Sequence, residues 1–303
     1  MVQGLKCAAF RFSVPIRLVR LDPEIIGLVL LAALMHASWN AVVKSDRDRL
    51  LSMGVVMLAG AVFGVVVAFF VPFPDLKAWP FMIASVVIHN FYYYFLLRAY
   101  AHGDLGHVYP IARGLGPLLV AMVSGSVLGE ALRFSEAVGV VLISCGIIGL
   151  SFAGGWRQAF QQGWGTTFAV LTGLTIAGYT VVDGLGARAS GSPLGYIAWL
   201  NILEGPWVLL IGFWRRGFAP AWQHVIAYGW RSALGGVIAT IGYGIAIWAL
   251  SLGAMAHVAA LRETSVLFAA LMGTFLLGET MGWRRIVAAA TIVAGLLLMN
   301  LPL

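Results

Sequence analysis

Apolar residues run through this chain in blocks of about twenty positions, separated by short polar breaks, with no alternation of apolar and polar residues inside the blocks. A helix rises about 1.5 Å per residue, so about twenty apolar residues cover the roughly 30 Å hydrocarbon core of a bilayer. The other structure that satisfies its backbone in lipid is a closed barrel, whose strands alternate over about ten residues. A run such as LLSMGVVMLAGAVFGVVVAFFV, residues 50–71, fits only the helix. The blocks predict spans at 24–43, 50–71, 80–101, 106–128 and 134–153. After the polar stretch GGWRQAFQQGWG they resume at 166–187, 193–213, 229–250, 254–277 and 284–301. The expected organisation is a basic tail (1–23), a five-span repeat (24–153), a connecting loop (154–165) and a second five-span repeat (166–303). The fold class that follows is an all-α integral membrane protein of about ten transmembrane helices. No segment between spans is long enough to fold as a soluble domain, so any chemistry belongs inside or at the edges of the bundle. Gly60 and Gly64 form a GxxxG pair, which marks a close helix contact within the chain or between subunits.

Composition supports this reading. Of 303 residues, 61% are hydrophobic and 10% charged, whereas a soluble domain carries about a quarter charged residues to wet its surface. The net charge of +7 fits cationic loops beside lipid headgroups better than a nucleic-acid surface. The two cysteines, Cys7 in the tail and Cys145 in mid-span, have no metal or disulfide spacing. No metal and no cofactor are expected. The tail MVQGLKCAAFRFSVPIRLVRLDP has Lys6, Arg11, Arg17 and Arg20 but no sustained apolar core or cleavage site. The first span is therefore expected to be an uncleaved anchor.

The two halves resemble one another. RGLGPLLVAMVSGSVLGEALR (113–133) matches RETSVLFAALMGTFLLGETMG (262–282), aligning Arg113 with Arg262 and Gly129-Glu130 with Gly278-Glu279. Gly103 and His107-Val108 echo Gly253 and His257-Val258, and ASWNAVVK (37–44) parallels AGYTVVDG (177–184). Three blocks in the same order indicate duplication. An odd number of crossings per copy inverts the second copy relative to the first. Such repeats are a transporter architecture, with the site at their interface near the midplane.

The LGE triplets at 128–130 and 277–279, HASWNAVVK in the first span and AYAHGDLGHVYPIARGLGPLLV (99–120) together resemble the drug/metabolite transporter superfamily, EamA-type, over nearly all of the chain after about residue 24. The resemblance implies two inverted five-helix repeats around a central cavity, lined by the first, third and fourth helix of each half. It also implies export of metabolites such as amino acids. The second half lacks equivalents of Tyr109-Pro110 and Gly116-Pro117, so the resemblance does not imply a symmetric site.

Polar groups within the spans supply the candidate site, because an ionisable side chain at the bilayer centre costs at least ~3 kcal/mol and normally faces the bundle interior. His36 and Asn40 share one face of the first span, with Trp39 beside them. His89 and Tyr93 share a face of the third. In the fourth, Tyr109 and Arg113 lie one turn apart, and Pro110, Gly114, Gly116 and Pro117 are expected to break or hinge the helix. Arg113 suits bidentate recognition of a carboxylate or phosphate; the competing reading pairs it with an internal acid such as Glu204. Tyr179 from the sixth span, Glu204 from the seventh, Tyr243 from the eighth, and His257, Arg262 and Glu263 from the ninth complete the substrate-binding candidates. Glu204 and Glu263 are the candidates for a coupling proton. Asp183, near the end of its span, reads as solvated. Glu130 and Glu279 read as caps or interfacial partners of nearby Arg133, Arg284 and Arg285. For each buried polar residue the alternative is an interhelical hydrogen bond worth ~0.6 kcal/mol.

The expected function is a secondary transporter, in the exporting direction, of small metabolites across the inner membrane. Its expected partners are a small-molecule substrate, a coupling proton and the lipid bilayer, with no nucleic acid, in a monomer or homodimer. The alternative is a flippase of a lipid or lipid-linked sugar. An intramembrane enzyme would need a constellation such as HExxH or paired aspartates inside the spans, and neither occurs. An even span count puts both termini on one side. Loop Lys and Arg favour that side being external, while the basic tail and the resemblance place it in the cytoplasm.

Overall fold

The computed structural model describes residues 21–127, 129–130, 132–152, 163–252, 254–277 and 282–300. Most of the basic tail, most of the connecting loop, Leu128, Gly253 and the second Gly-Glu pair at 278–279 lie outside the described residues. The first half contains α1 (Pro23–Ser45), α2 (Arg49–Ala68), α3 (Trp79–His102), α4 (Leu105–Val127) and α5 (Phe134–Gly149). The second contains α6 (Gly163–Ala189), α7 (Pro193–Arg216), α8 (Phe218–Leu252), α9 (Met255–Arg262), α10 (Ser265–Leu277) and α11 (Trp283–Asn300). Short 3-10 turns precede α3 and follow α5. With α9 and α10 together forming the ninth span, ten segments among the described residues are long and apolar enough to cross a membrane.

Local sequence explains the ends. The Asp48 carboxylate accepts from the N–H groups of Leu50 and Leu51 at 3.1 and 3.3 Å, and the Ser192 hydroxyl accepts from Gly195 N–H at 3.1 Å. Each satisfies N–H groups that the first turn of a helix leaves unpaired. Pro23 and Pro193 occupy first-turn positions, where a missing N–H costs nothing.

Helix packing follows a pseudo-twofold pattern. The second span of one half packs on the second of the other (α2 on α7), and the fifth on the fifth (α5 on α11). The first span of each half packs on the third of the other (α1 on α8, α6 on α3) and also on its fourth (α1 on α9 and α10, α6 on α4). Each of these contacts maps onto itself or onto its partner when the halves are exchanged. Inverted duplication, legible in the Arg…Gly-Glu blocks, is thus written into the contacts.

Gly60 and Gly64 serve an internal contact. A Cβ on Gly64 would sit 2.7 Å from the Ala198 carbonyl oxygen of α7, and one on Gly60 would sit 2.6 Å from Thr240 Oγ1 of α8. A backbone carbonyl cannot step aside as a flexible side chain can. Gly64→Ala is therefore expected to lower stability by about 1–3 kcal/mol, the usual penalty of overpacking. Thermal unfolding in detergent measures it, and a melt matching the parent would refute the tight seam.

Three expectations need correction. The fourth span is not broken: α4 runs continuously through Pro110 and Pro117. Gly114 and Gly116 instead permit close approach, since their Cβ atoms would lie 2.6 Å from Ile148 of α5 and 3.1 Å from Ile176 of α6. The break falls in the ninth span, where α9 ends at Arg262 and a turn at Glu263 and Thr264 precedes α10. There the N–H groups of Glu263, Thr264 and Val266 reach back three residues, not four, the tighter 3-10 winding that marks hinges. The second correction is that α8 begins at Phe218 rather than near 229. Its 35 residues extend about 52 Å, well beyond the hydrocarbon core. The surplus turns expose Phe218, Trp222 and Trp230, aromatic residues suited to the interfacial belt.

The third concerns Glu130, whose partner is Arg188 at 2.9 Å rather than Arg133. Its second oxygen accepts from Met255 N–H at 3.0 Å, capping α9. Arg188 also donates to the Leu250 carbonyl. This polar tie joins the α4–α5 junction, the end of α6 and the α8–α9 junction, all on the side that carries both chain ends. Above it an apolar cluster of Val29, Val120, Val181, Leu250, Met255 and Leu261 packs α1, α4, α6, α8 and α9 together.

Candidate substrate cavity

Above that apolar cluster, near the middle of the spans, helices of both halves draw apart around a cavity of ≈ 80 Å³. Its wall is largely aromatic: Trp39 from α1, Tyr92 and Tyr93 from α3, Tyr179 from α6 and Tyr243 from α8. Into it project His36, His89, Asn201, Glu204, Thr240 and Arg262. Helical spacing accounts for these groups. His36 and Trp39 meet edge to face at 5.2 Å, His89 brings Tyr92 and Tyr93 with it, and Asn201 brings Glu204.

His89 is the hub. Its ring stacks on Tyr179 with centroids 4.0 Å apart, and Nδ1 lies 2.9 Å from Glu204 Oε1. The same nitrogen is 3.0 Å from the Ser85 carbonyl and 3.1 Å from the Ser85 hydroxyl. Tyr93 O–H donates to Met57 Sδ at 3.1 Å. Arg262, the last residue of α9, holds its guanidinium 5.2 Å from the centroid of the Tyr243 ring, a cation–π contact. Among the described residues no carboxylate lies within ion-pair distance of it.

Arg113 is bound elsewhere. Its Nε lies 2.9 Å from Glu263 Oε2, and it donates to Ser265 Oγ at 3.2 Å. Both members of the pair are under 5% exposed, and neither lines the cavity. The internal acid that Arg113 meets is therefore Glu263 and not Glu204. The pair clamps α4 to the turn between α9 and α10.

Of the sequence-selected residues, His36, Trp39, His89, Tyr93, Tyr179, Glu204, Tyr243 and Arg262 meet at the cavity. Asn40 does not, because its amide folds back onto the His36 carbonyl at 2.8 Å. His257 is buried with Nδ1 4.0 Å from Glu136 of α5. Tyr109 packs against the cluster that joins α5 and α11. Tyr92, Asn201 and Thr240 also line the cavity, each three positions from a selected residue on the same helix (His89, Glu204 and Tyr243). Met57 carried no signal in an apolar helix. Asp183, expected to be solvated, is completely buried and accepts a hydrogen bond from Tyr196 O–H at 2.9 Å and another from Tyr243 O–H.

A polar, aromatic-walled cavity at the midplane, set between inverted five-span repeats and sealed toward one side, defines a multi-pass membrane transporter of small molecules. The chain belongs to the EamA-like transporter family, whose model matches it twice, over residues 24–152 and 163–301. No curated protein sequence matches it. Twenty-nine solved chains match. One, described only as the crystal structure of a protein, superposes with a TM-score of 0.68 at 19% identity, covering 91% of this chain and 94% of its own. At that identity the likeness shows the fold.

Proposed function

We propose that the protein is a secondary transporter that exports small zwitterionic metabolites, amino acids foremost, across the inner membrane by alternating access, with both termini cytoplasmic. The observation that carries this reading is Arg262: a guanidinium facing the cavity with no acid partner among the described residues, which suits the carboxylate of a cargo. Glu204 lies beyond Tyr243 and His89 from it and suits an ammonium group, with the tyrosine faces adding cation–π attraction. The ≈ 80 Å³ volume favours cargo well below drug size, whose pockets span ~300–1,000 Å³. Access from the terminal side requires the apolar cluster and the Glu130–Arg188 tie to part.

The second reading, a lipid flippase, draws on an apolar groove of ≈ 410 Å³ between α1, α2, α7 and α8 that meets the cavity at Thr240. Liposomes holding the purified protein separate the two. Preloaded unlabelled amino acids should drive counterflow of labelled ones, and Glu204→Gln should slow it at least about tenfold, the loss of one charge-assisted contact. Fluorescent phospholipid that crosses the bilayer while no amino acid exchanges would favour the flippase.

A further inference from the structure

Asp183 has no place in the cavity wall, yet it is the most enclosed acid in the described structure, with no exposed surface. Among the described residues no Arg, Lys or His lies within ion-pair distance of its carboxylate. Its hydrogen-bond partners are neutral hydroxyls, Tyr196 of α7 and Tyr243 of α8, with the Ser85 hydroxyl of α3 close by. Buried Glu263 and partly buried Glu204 each have a basic partner at 2.9 Å, Arg113 and His89 respectively. An ionised carboxylate in a low-dielectric interior is strongly disfavoured without such a partner, and the group takes up a proton instead.

A path for that proton is also present. Glu204 lines the cavity with Oε1 2.9 Å from His89 Nδ1, an ion-pair contact without hydrogen-bond geometry; that nitrogen is 3.1 Å from Ser85 Oγ, and the Ser85 hydroxyl faces the Asp183 carboxyl. The groups facing Asp183 from surrounding elements are few. The third span supplies Ser85 and His89, the seventh Tyr196 and Glu204, and the eighth Tyr243. Arg262 of α9 lies over the Tyr243 ring, and Arg113 of α4 is held by Glu263. Asp75 and Lys77, in the turn beside the end of α6, are exposed.

We propose that Asp183 is the proton-storing carboxyl of this transporter, loaded from the cavity through Glu204, His89 and Ser85, and that its proton is exchanged for cargo during transport. The proposal rests on the transporter reading. In the loading step Glu204 gives its proton to His89, the imidazole passes one to Ser85 Oγ, and the Ser85 hydroxyl proton moves to Asp183. Glu204 ends ionised, free to meet an ammonium group, and Asp183 ends neutral. Three spans from both halves contribute, so rearrangement of the halves opens or closes the relay.

Infrared difference spectroscopy of the full chain in lipid, between mildly acidic and alkaline buffer, reads the proton without any cargo. One component of the protonated-carboxyl stretch in the parent is expected to be missing in Asp183→Asn, while the contribution of Glu204 remains. Tyr196→Phe should retain that component and shift its frequency, because the Asp183 carboxyl loses a hydrogen-bond donor; a purely structural role would leave the frequency in place. In liposomes an imposed pH gradient should drive accumulation of the counterflow amino acid in the parent, and in Asp183→Asn it should not. A difference spectrum unchanged by Asp183→Asn overturns the assignment. Gradient-driven accumulation that survives the same change overturns the coupling. A parent that shows the Asp183 band but moves no amino acid would refute the cargo reading and leave the proton site standing.

Discussion

Arg113→Ala should destabilise the bundle by about 3–5 kcal/mol, because it strands the Glu263 carboxylate, buried and unpartnered, inside the membrane. That is a large share of the roughly 5–15 kcal/mol by which a folded chain usually exceeds its unfolded state. The variant should melt far earlier in detergent and reach the membrane in reduced amount. The double variant Arg113→Met with Glu263→Gln should recover most of the loss, since removing both charges also removes their desolvation cost. If Arg113→Ala melts like the parent, the clamp between α4 and the ninth-span turn is not a structural one. Loss of transport in Arg113→Ala alone would therefore not identify Arg113 as a ligand of the cargo.

Arg262→Gln is the contrasting case. Its guanidinium has no acid partner among the described residues and rests against the Tyr243 ring, so its replacement should leave the melting temperature close to that of the parent. Counterflow should nevertheless fall about 100-fold, equivalent to the roughly 1.5–3 kcal/mol of a hydrogen bond to a charged group. Arg262→Lys should restore part of it, because lysine keeps the charge but loses the planar fork. Unimpaired exchange by Arg262→Gln would remove the carboxylate-binding role. Together the two arginines, aligned with each other by the repeat, divide between them what sequence alone assigned to Arg113.

That division shows what a membrane sequence reveals and what it conceals. Span number and duplication are legible because a bilayer admits few backbone solutions and sets their length, so even the block joining Arg113 to Glu130 could be paired with its copy. Lining residues on helices with two polar groups at one-turn spacing, such as His89 with Tyr93, are also within reach. Pairing between helices was not. Arg113 had several acids at comparable depth, and nothing in the order of residues chooses Glu263 over Glu204. Asp183 was misjudged because distance from a span's end stands in poorly for burial when Tyr196 of the next helix folds over it. The broken helix was assigned to the span with prolines, yet α4 tolerates them within its packed surroundings. The ninth span, without proline, winds tightly at Glu263 and Thr264, where Arg113 holds the turn.

The turn at the end of α9 sets Arg262 and Glu263 side by side in the chain, one aimed at the cavity and the other at α4 of the opposite half. A single peptide unit therefore lies between the guanidinium that meets the cavity and the carboxylate that grips the far repeat. A cargo that shifts Arg262 would therefore act on the Arg113–Glu263 contact with no long lever between them, which makes this joint the shortest link from the cavity to the seam between the two halves.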